Sequence, residues 1–420
     1  MLHSKEYQST KYACYLGSGG MALVSVLSPL LFVTFREMYG ISYTLLGLLV
    51  VANFLTQLSV DLLFSFFTKY FNIHKTVRIM PVFTFFGLAI YAIMPWIFPA
   101  YVYLWLIIGT IIFSASAGLG EVLLSPVIAA IPSDNSEREM SKFHSTYAWG
   151  CVIVVIMSTL FLKIAGTHNW QILVLFLSIL PLADSVLFAK AKLPKMNIGQ
   201  DEEAGSVNLK NKGIMIFVVC IFLGGATEIT ISEWVSNFIE SGIGLPKVMG
   251  DILGVAMFAV MLGIGRTAYA KIGRNISLVM LWGMAGATVC YLVASLSLNS
   301  GVALIACALA GLCVSMLWPG TLIYAEENFP NLGVAVYALL AAGGDLGASV
   351  GPQLVGIVSD KIAVSGAAAN IAQRLNITAE QVGIRAGMLI AAIFPLLGVI
   401  TILWMRRHFK LRGLSKNGNL

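Results

Sequence analysis

Six carboxylic acids stand inside stretches that are otherwise apolar: Asp61, Glu121, Asp184, Glu228, Glu233 and Asp345. An ionised side chain in hydrocarbon costs about 3 kcal/mol on insertion scales, so an acid kept there points first to binding and releasing protons. Each could instead hydrogen-bond a neighbouring helix, and spacing sorts the two cases. Asn53, Gln57, Asp61 and Ser65 recur every four residues and form one polar stripe. Ser114, Ala117, Gly118, Glu121 and Ser125 form a small-residue stripe suited to a cavity wall. Glu228 shares a face with Gly224 and Ser232, while Thr230, Glu233 and Asn237 lie opposite. Asp345 aligns with Ser349 and Gln353, beside Gly344, Gly347 and Gly351, which allow close helix approach. Asp184 stands alone in an apolar helix and carries the least weight. Glu121, Glu228, Asp61 and Asp345 are therefore the expected proton carriers. No Lys or Arg is assigned inside a span to neutralise them.

Aromatic residues supply a second kind of chemistry. Trp149, Trp234 and Trp318 fall within spans, away from the interfacial belts, where Trp96, Trp105 and Trp170 are expected. An indole offers a flat apolar face to the CH side of a sugar ring, plus one donor. His144, Tyr147 and Cys151 share a helical face. The residues expected to touch a solute are Glu121, Gln57, Asn53, His144, Tyr147, Trp149, Glu233, Trp234 and Trp318. No metal site is expected: the six cysteines lie apart, with no CxxC pair and no disulfide framework.

The elements that position these groups are membrane spans. The chain is 58% hydrophobic and 11% charged, with mean hydropathy +0.87, outside the range of soluble domains. Twelve stretches are long enough to cross a bilayer: 11–38, 42–68, 77–98, 101–131, 141–165, 169–190, 213–240, 246–268, 276–297, 301–327, 332–360 and 383–406. An all-α membrane protein follows. With the N-terminus taken as cytoplasmic, all but six of the 26 Lys and Arg (Arg36, Lys163, Lys247, Lys361, Arg374 and Arg385) fall in cytoplasmic loops and tails. The positive-inside rule thus puts both termini in the cytoplasm, in a cell (inner) membrane. The net charge of +6 is that bias and implies no nucleic acid. The first span reads as a retained helix, with no cleaved signal peptide.

A polar linker at 192–212 divides the chain into an N-terminal half, 1–191, and a C-terminal half, 213–420, of six spans each. The halves echo one another. Span 4 carries LeuLeuSerPro ending at Pro126 and span 10 MetLeuTrpPro ending at Pro319, with Tyr147 and Tyr337 following at similar offsets. A parallel six-plus-six repeat suits a rocking transporter with its site between the halves. ThrAlaGluGln at 378–381 reads as a capping box opening the last helix. AsnIleThr at 376–378 is taken as a chance glycosylation sequon.

The loop after span 8, GlyArgThrAlaTyrAlaLysIleGlyArgAsn at 265–275, resembles the signature of the major facilitator superfamily. The copy after span 2, at 65–75, is degenerate, with Thr68 where an Asp is usual. GlyGluValLeuLeuSerPro (120–126), ThrGluIleThrIleSerGluTrpValSerAsnPhe (227–238), SerMetLeuTrpProGly (315–320) and GlyAspLeuGlyAlaSerValGlyPro (344–352) resemble the fucose permease-type sugar:proton symporters. That resemblance implies two six-helix bundles and a sugar-binding role for Glu121. The span-1 aspartate that couples protons in that family has no counterpart here, which leaves coupling to Glu228 or Asp61. The expectation is a non-enzymatic secondary transporter of a small hydrophilic solute, a sugar first, driven by alternating access. It needs no cofactor beyond the proton as coupling ion, and it works as a monomer in the bilayer. The chain has no GxxxxGK[ST] loop for ATP. A proton-driven exporter of amphipathic drugs and a non-transporting membrane receptor are the alternatives.

Overall fold

A computed structural model describes residues 6–67, 70–132, 136–194, 212–272, 275–329 and 334–416. The central linker and Thr68 lie almost wholly or wholly outside that set, as do the side chains of His144 and Tyr337. Eleven helices are long and apolar enough to cross a membrane: α1 (Gln8–Tyr39), α2 (Tyr43–Phe64), α3 (Ile73–Ile97), α4 (Pro99–Ile128), α5 (Ser145–Ala165), α6 (Thr167–Lys190), α7 (Lys212–Gly242), α8 (Lys247–Tyr269), α9 (Ile276–Leu296), α10 (Ser300–Ala325) and the last, α12 (Ala379–Phe409). The twelfth span, α11 (Leu339–Ala363), passes together with the short helix Gly366–Leu375, which leaves it at 82°. The expected twelve crossings are thus present.

Local chemistry sets the ends. Gly40 takes φ 66°, a left-handed turn that closes α1, its N–H donating to the Arg36 carbonyl. Asn72 and Asn299 cap α3 and α10 with their side-chain oxygens. The capping box forms as expected, Thr378 and Gln381 exchanging bonds at the start of α12.

Burial sorts the helices. Within their most apolar windows, α1 is 78% and α7 72% buried, whereas α2, α3, α5, α6, α9 and α12 stay below half. The first pair runs through the middle. The two bundles meet along three seams: α1 on α7, α2 along α11, and α5 along α8. We call the end where α1 begins the near end and the opposite one the far end.

Glycines set the closest seam inside the second bundle. A Cβ on Gly347 would meet the Phe222 carbonyl carbon at 2.8 Å and the Ala226 nitrogen at 2.9 Å, so α7 and α11 touch backbone to backbone. Trp170 is fully buried rather than interfacial. It packs edge-on against Phe35 and Tyr91, and its N–H donates to the Tyr39 hydroxyl.

Candidate functional site

Two groups of polar side chains occupy the boundary between the bundles. The first is an acid cluster. One carboxylate oxygen from each of Asp61 (α2), Glu121 (α4) and Asp345 (α11) lies within 4.8 Å of the others. Asp61 and Asp345 are buried and Glu121 is half-buried. The carboxyl groups of Asp61 and Asp345 approach each other across the boundary, and buried acids this close cannot both be ionised. Asn53 and Gln57 extend the cluster along α2: Ser114 donates to the Asn53 oxygen at 2.5 Å and the Gln57 amide donates to it at 3.1 Å. Helical spacing puts these α2 groups in one column, as the sequence stripe predicted. The structure thus brings together five of the expected residues.

The second group surrounds Glu228 in the middle of α7. Arg266 of α8 donates from Nη2 to Glu228 Oε1 at 3.0 Å. This corrects the expectation that no cation lies among the spans: the loop-like signature at 265 begins inside α8, and a long guanidinium side chain reaches inward from near the helix end. Glu228 is therefore paired, not isolated, although its Oε2 is buried without a partner among the described residues.

The position of Arg266 follows from two neighbouring residues. Pro319 has no N–H, so the carbonyl of Ser315, four residues earlier, loses its helical donor. There α10 breaks into Ser300–Val314 and Leu317–Asn328. Arg266 Nε donates to that freed carbonyl at 3.1 Å. Gly265 permits this approach, because any Cβ there would run into the Ser315 side chain. Sequence reasoning noted Pro319 only as part of a repeat; the lost i−4 bond was the signal that could have found the site.

Tyr147 and Cys151 on α5 face this ion pair across the boundary, within electrostatic range of Arg266. The Tyr147 hydroxyl donates to Ser25 at 2.8 Å. Glu233 is buried.

The tryptophans do not serve as expected. Trp149 is 56% exposed and lines up with Ile153, Ile156, Leu160 and Ile164, an outward apolar stripe on α5 away from both groups. Trp234 is buried, donates to the Pro352 carbonyl at 3.1 Å and packs edge-on against Phe32 at 5.6 Å and tilted against Tyr43 at 5.8 Å. That is packing between the bundles, with no open ring face. Trp318 fills the slot left by Gly225 and Gly344, its ring 3.1 Å from where a Gly225 Cβ would sit. The side chain of His144 is outside the described residues. Asp184 lines a small cavity of about 10 Å³ within the first bundle, room for about one water.

The far end is held shut by contacts the sequence did not suggest. Arg36 donates to Glu380 at 2.8 Å and lies 3.5 Å over the Tyr43 ring, and the Tyr43 hydroxyl donates to the same carboxylate at 2.7 Å. Asp360 accepts from the Thr44 backbone N–H at 2.7 Å and from its hydroxyl at 2.5 Å, so an acid of one bundle caps a helix of the other. Lys247 donates to the Leu30 carbonyl at 2.7 Å, and Asp251 accepts from Thr159 at 3.2 Å. These links join both bundles at one end.

A sequence model of the Major Facilitator Superfamily matches residues 14–352. The chain belongs to that superfamily. Among solved structures it is similar to a bacterial homolog of the human lysosomal transporter Spinster in an inward-facing, occupied conformation (TM-score 0.68, 13% identity, covering 96% of this chain and 97% of that one). It is also similar to the E. coli fucose:proton symporter FucP (TM-score 0.61, 15% identity, 95% and 99%). A third is the xylose transporter XylE from E. coli, partially occluded and inward open (TM-score 0.70, 13% identity, 95% and 97%). At these identities the likeness establishes the fold. No curated protein sequence matches. The protein is thus a multi-pass membrane transporter of the major facilitator fold.

Proposed function

We propose that this transporter carries a small hydrophilic solute, a sugar in the first instance, together with protons by alternating access. The observation that carries the reading is the acid cluster: Asp61 and Glu121 come from one bundle and Asp345 from the other. A proton shared there bears on whether the bundles stay together, which is what coupling requires. The polar column through Asn53 and Gln57 supports a hydrophilic cargo over an amphipathic drug. The superfamily neighbours named as fucose and xylose proton symporters support a sugar. Glu228 and Tyr147 would line the solute path, with both termini cytoplasmic in the cell membrane and the chain acting as a monomer.

The test is sugar-dependent proton entry into proteoliposomes holding a pH dye. Acidification with at least one sugar, lost in Asp345→Asn, supports the reading. No pH change with any sugar removes it, and unaltered uptake in Glu121→Gln and Glu228→Gln would favour a receptor.

A further inference from the structure

We propose that Arg266 is the group that selects the solute, and that the solute carries a carboxylate: a sugar acid rather than a neutral sugar. This rests on the proposed transport function and narrows its substrate class. Among the described residues Arg266 is the one cation that reaches the middle of the boundary, and it is held for recognition. Its Nε is fixed by the Ser315 carbonyl and its Nη2 by Glu228. Its Nη1 has no partner among the described residues, and the side chain is 22% exposed against 9% for Glu228. A guanidinium oriented by backbone is a rigid fork for planar anions. Charge-assisted bonds are roughly twice as strong as neutral ones, so a solute carboxylate competes with Glu228 where a sugar hydroxyl does not.

The exchange has a definite charge balance. The incoming carboxylate takes the Arg266 Nη2 and Nη1 donors, and Glu228 is released. Glu228 Oε2 already lacks a partner among the described residues and is buried; without Arg266 the whole carboxylate would be an isolated charge in the membrane interior. Such a charge is untenable, so Glu228 takes up a proton from water. One solute anion and one proton enter, and the net charge of the site is unchanged. The other titratable groups in range of the pair are Tyr147 and Cys151 on α5; α10 offers only a carbonyl, and α1 the Ser25 hydroxyl. None of them supplies a second cation. A released, ionised Glu228 beside the incoming anion would leave two negative charges on one guanidinium, which makes the two events obligatory partners.

The experiment is calorimetric titration of the intact protein with D-glucuronate and with D-glucose, in buffers of different ionisation enthalpy. We expect glucuronate to bind at least about tenfold more tightly than glucose, with uptake of about one proton. Arg266→Gln should erase the preference and Arg266→Lys should weaken it. Glu228→Gln should still bind glucuronate, without proton uptake. If Arg266→Gln fails to fold, the other two variants carry the test. Equal binding of glucose and glucuronate overturns the proposal, as does glucuronate binding without proton uptake or a preference that survives Arg266→Lys undiminished. If neutral hexoses or pentoses drive protons while glucuronate does not bind, this proposal fails and the transport function stands. If no sugar or sugar acid moves protons, both fail.

Discussion

Asp61 on α2 and Asp345 on α11 bring carboxyl oxygens within 4.8 Å of each other, across the line that divides the two bundles. Glu121 completes the set from α4. Three acids this close cannot all be ionised together. Their proton count and the contact between the bundles are thus two descriptions of one equilibrium.

Asp345→Asn keeps the shape but cannot cycle a proton. Accumulation driven by a pH gradient should fall at least about tenfold, with solute affinity changed by less than about threefold. Parallel measurements of binding and of uphill uptake in proteoliposomes check this. Equal losses in both would place Asp345 in the solute site instead.

Loosening the far end should shift the resting conformation. Arg36 and Glu380 are half-exposed, so their pair is worth about 0.2–1 kcal/mol. The stacking of Arg36 on Tyr43 adds about 0.5–1 kcal/mol. Arg36→Ala should therefore raise the far-open population by up to about thirtyfold. Labelling a cysteine placed at Leu30 with an impermeant reagent reads that population.

Two glycine substitutions should diverge. Gly347→Ala drives a methyl into the α7 backbone and should cost about 1–3 kcal/mol, seen as a lower thermal midpoint in detergent. Gly366→Ala, with nothing within 4 Å of its new Cβ, should be neutral or stabilise by up to about 1 kcal/mol. Matching midpoints for the two would contradict the α7–α11 contact.

Trp149→Leu should leave transport within about twofold of the parent, since lipid-facing exchanges of apolar residues cost little. The ring is largely exposed on an aliphatic stripe. A large loss of uptake would return Trp149 to the solute path.

The membrane fold was legible because long apolar runs and loop charge are local signals; α11 and its bent continuation needed geometry. The acid stripes on α2, α4 and α11 were also readable, since a four-residue period fixes one helix face. Which faces meet is a tertiary fact, and so the gathering of Asp61, Glu121 and Asp345 emerged only from packing. Arg266 was hidden for another reason. Its backbone lies near a helix end and reads as loop, while its side chain reaches the middle of the molecule. The tryptophans misled because an indole within a span is equally at home against lipid, as Trp149 is, or in a glycine slot, as Trp318 is.

The glycine seam has a mechanical consequence. With backbone set against backbone at Gly347, α7 and α11 tilt as one stiff strut. Glu228 hangs from one member of that strut and Asp345 from the other. Under the proposed transport function, a solute tugging at the first and a proton arriving at the second would therefore load the same beam.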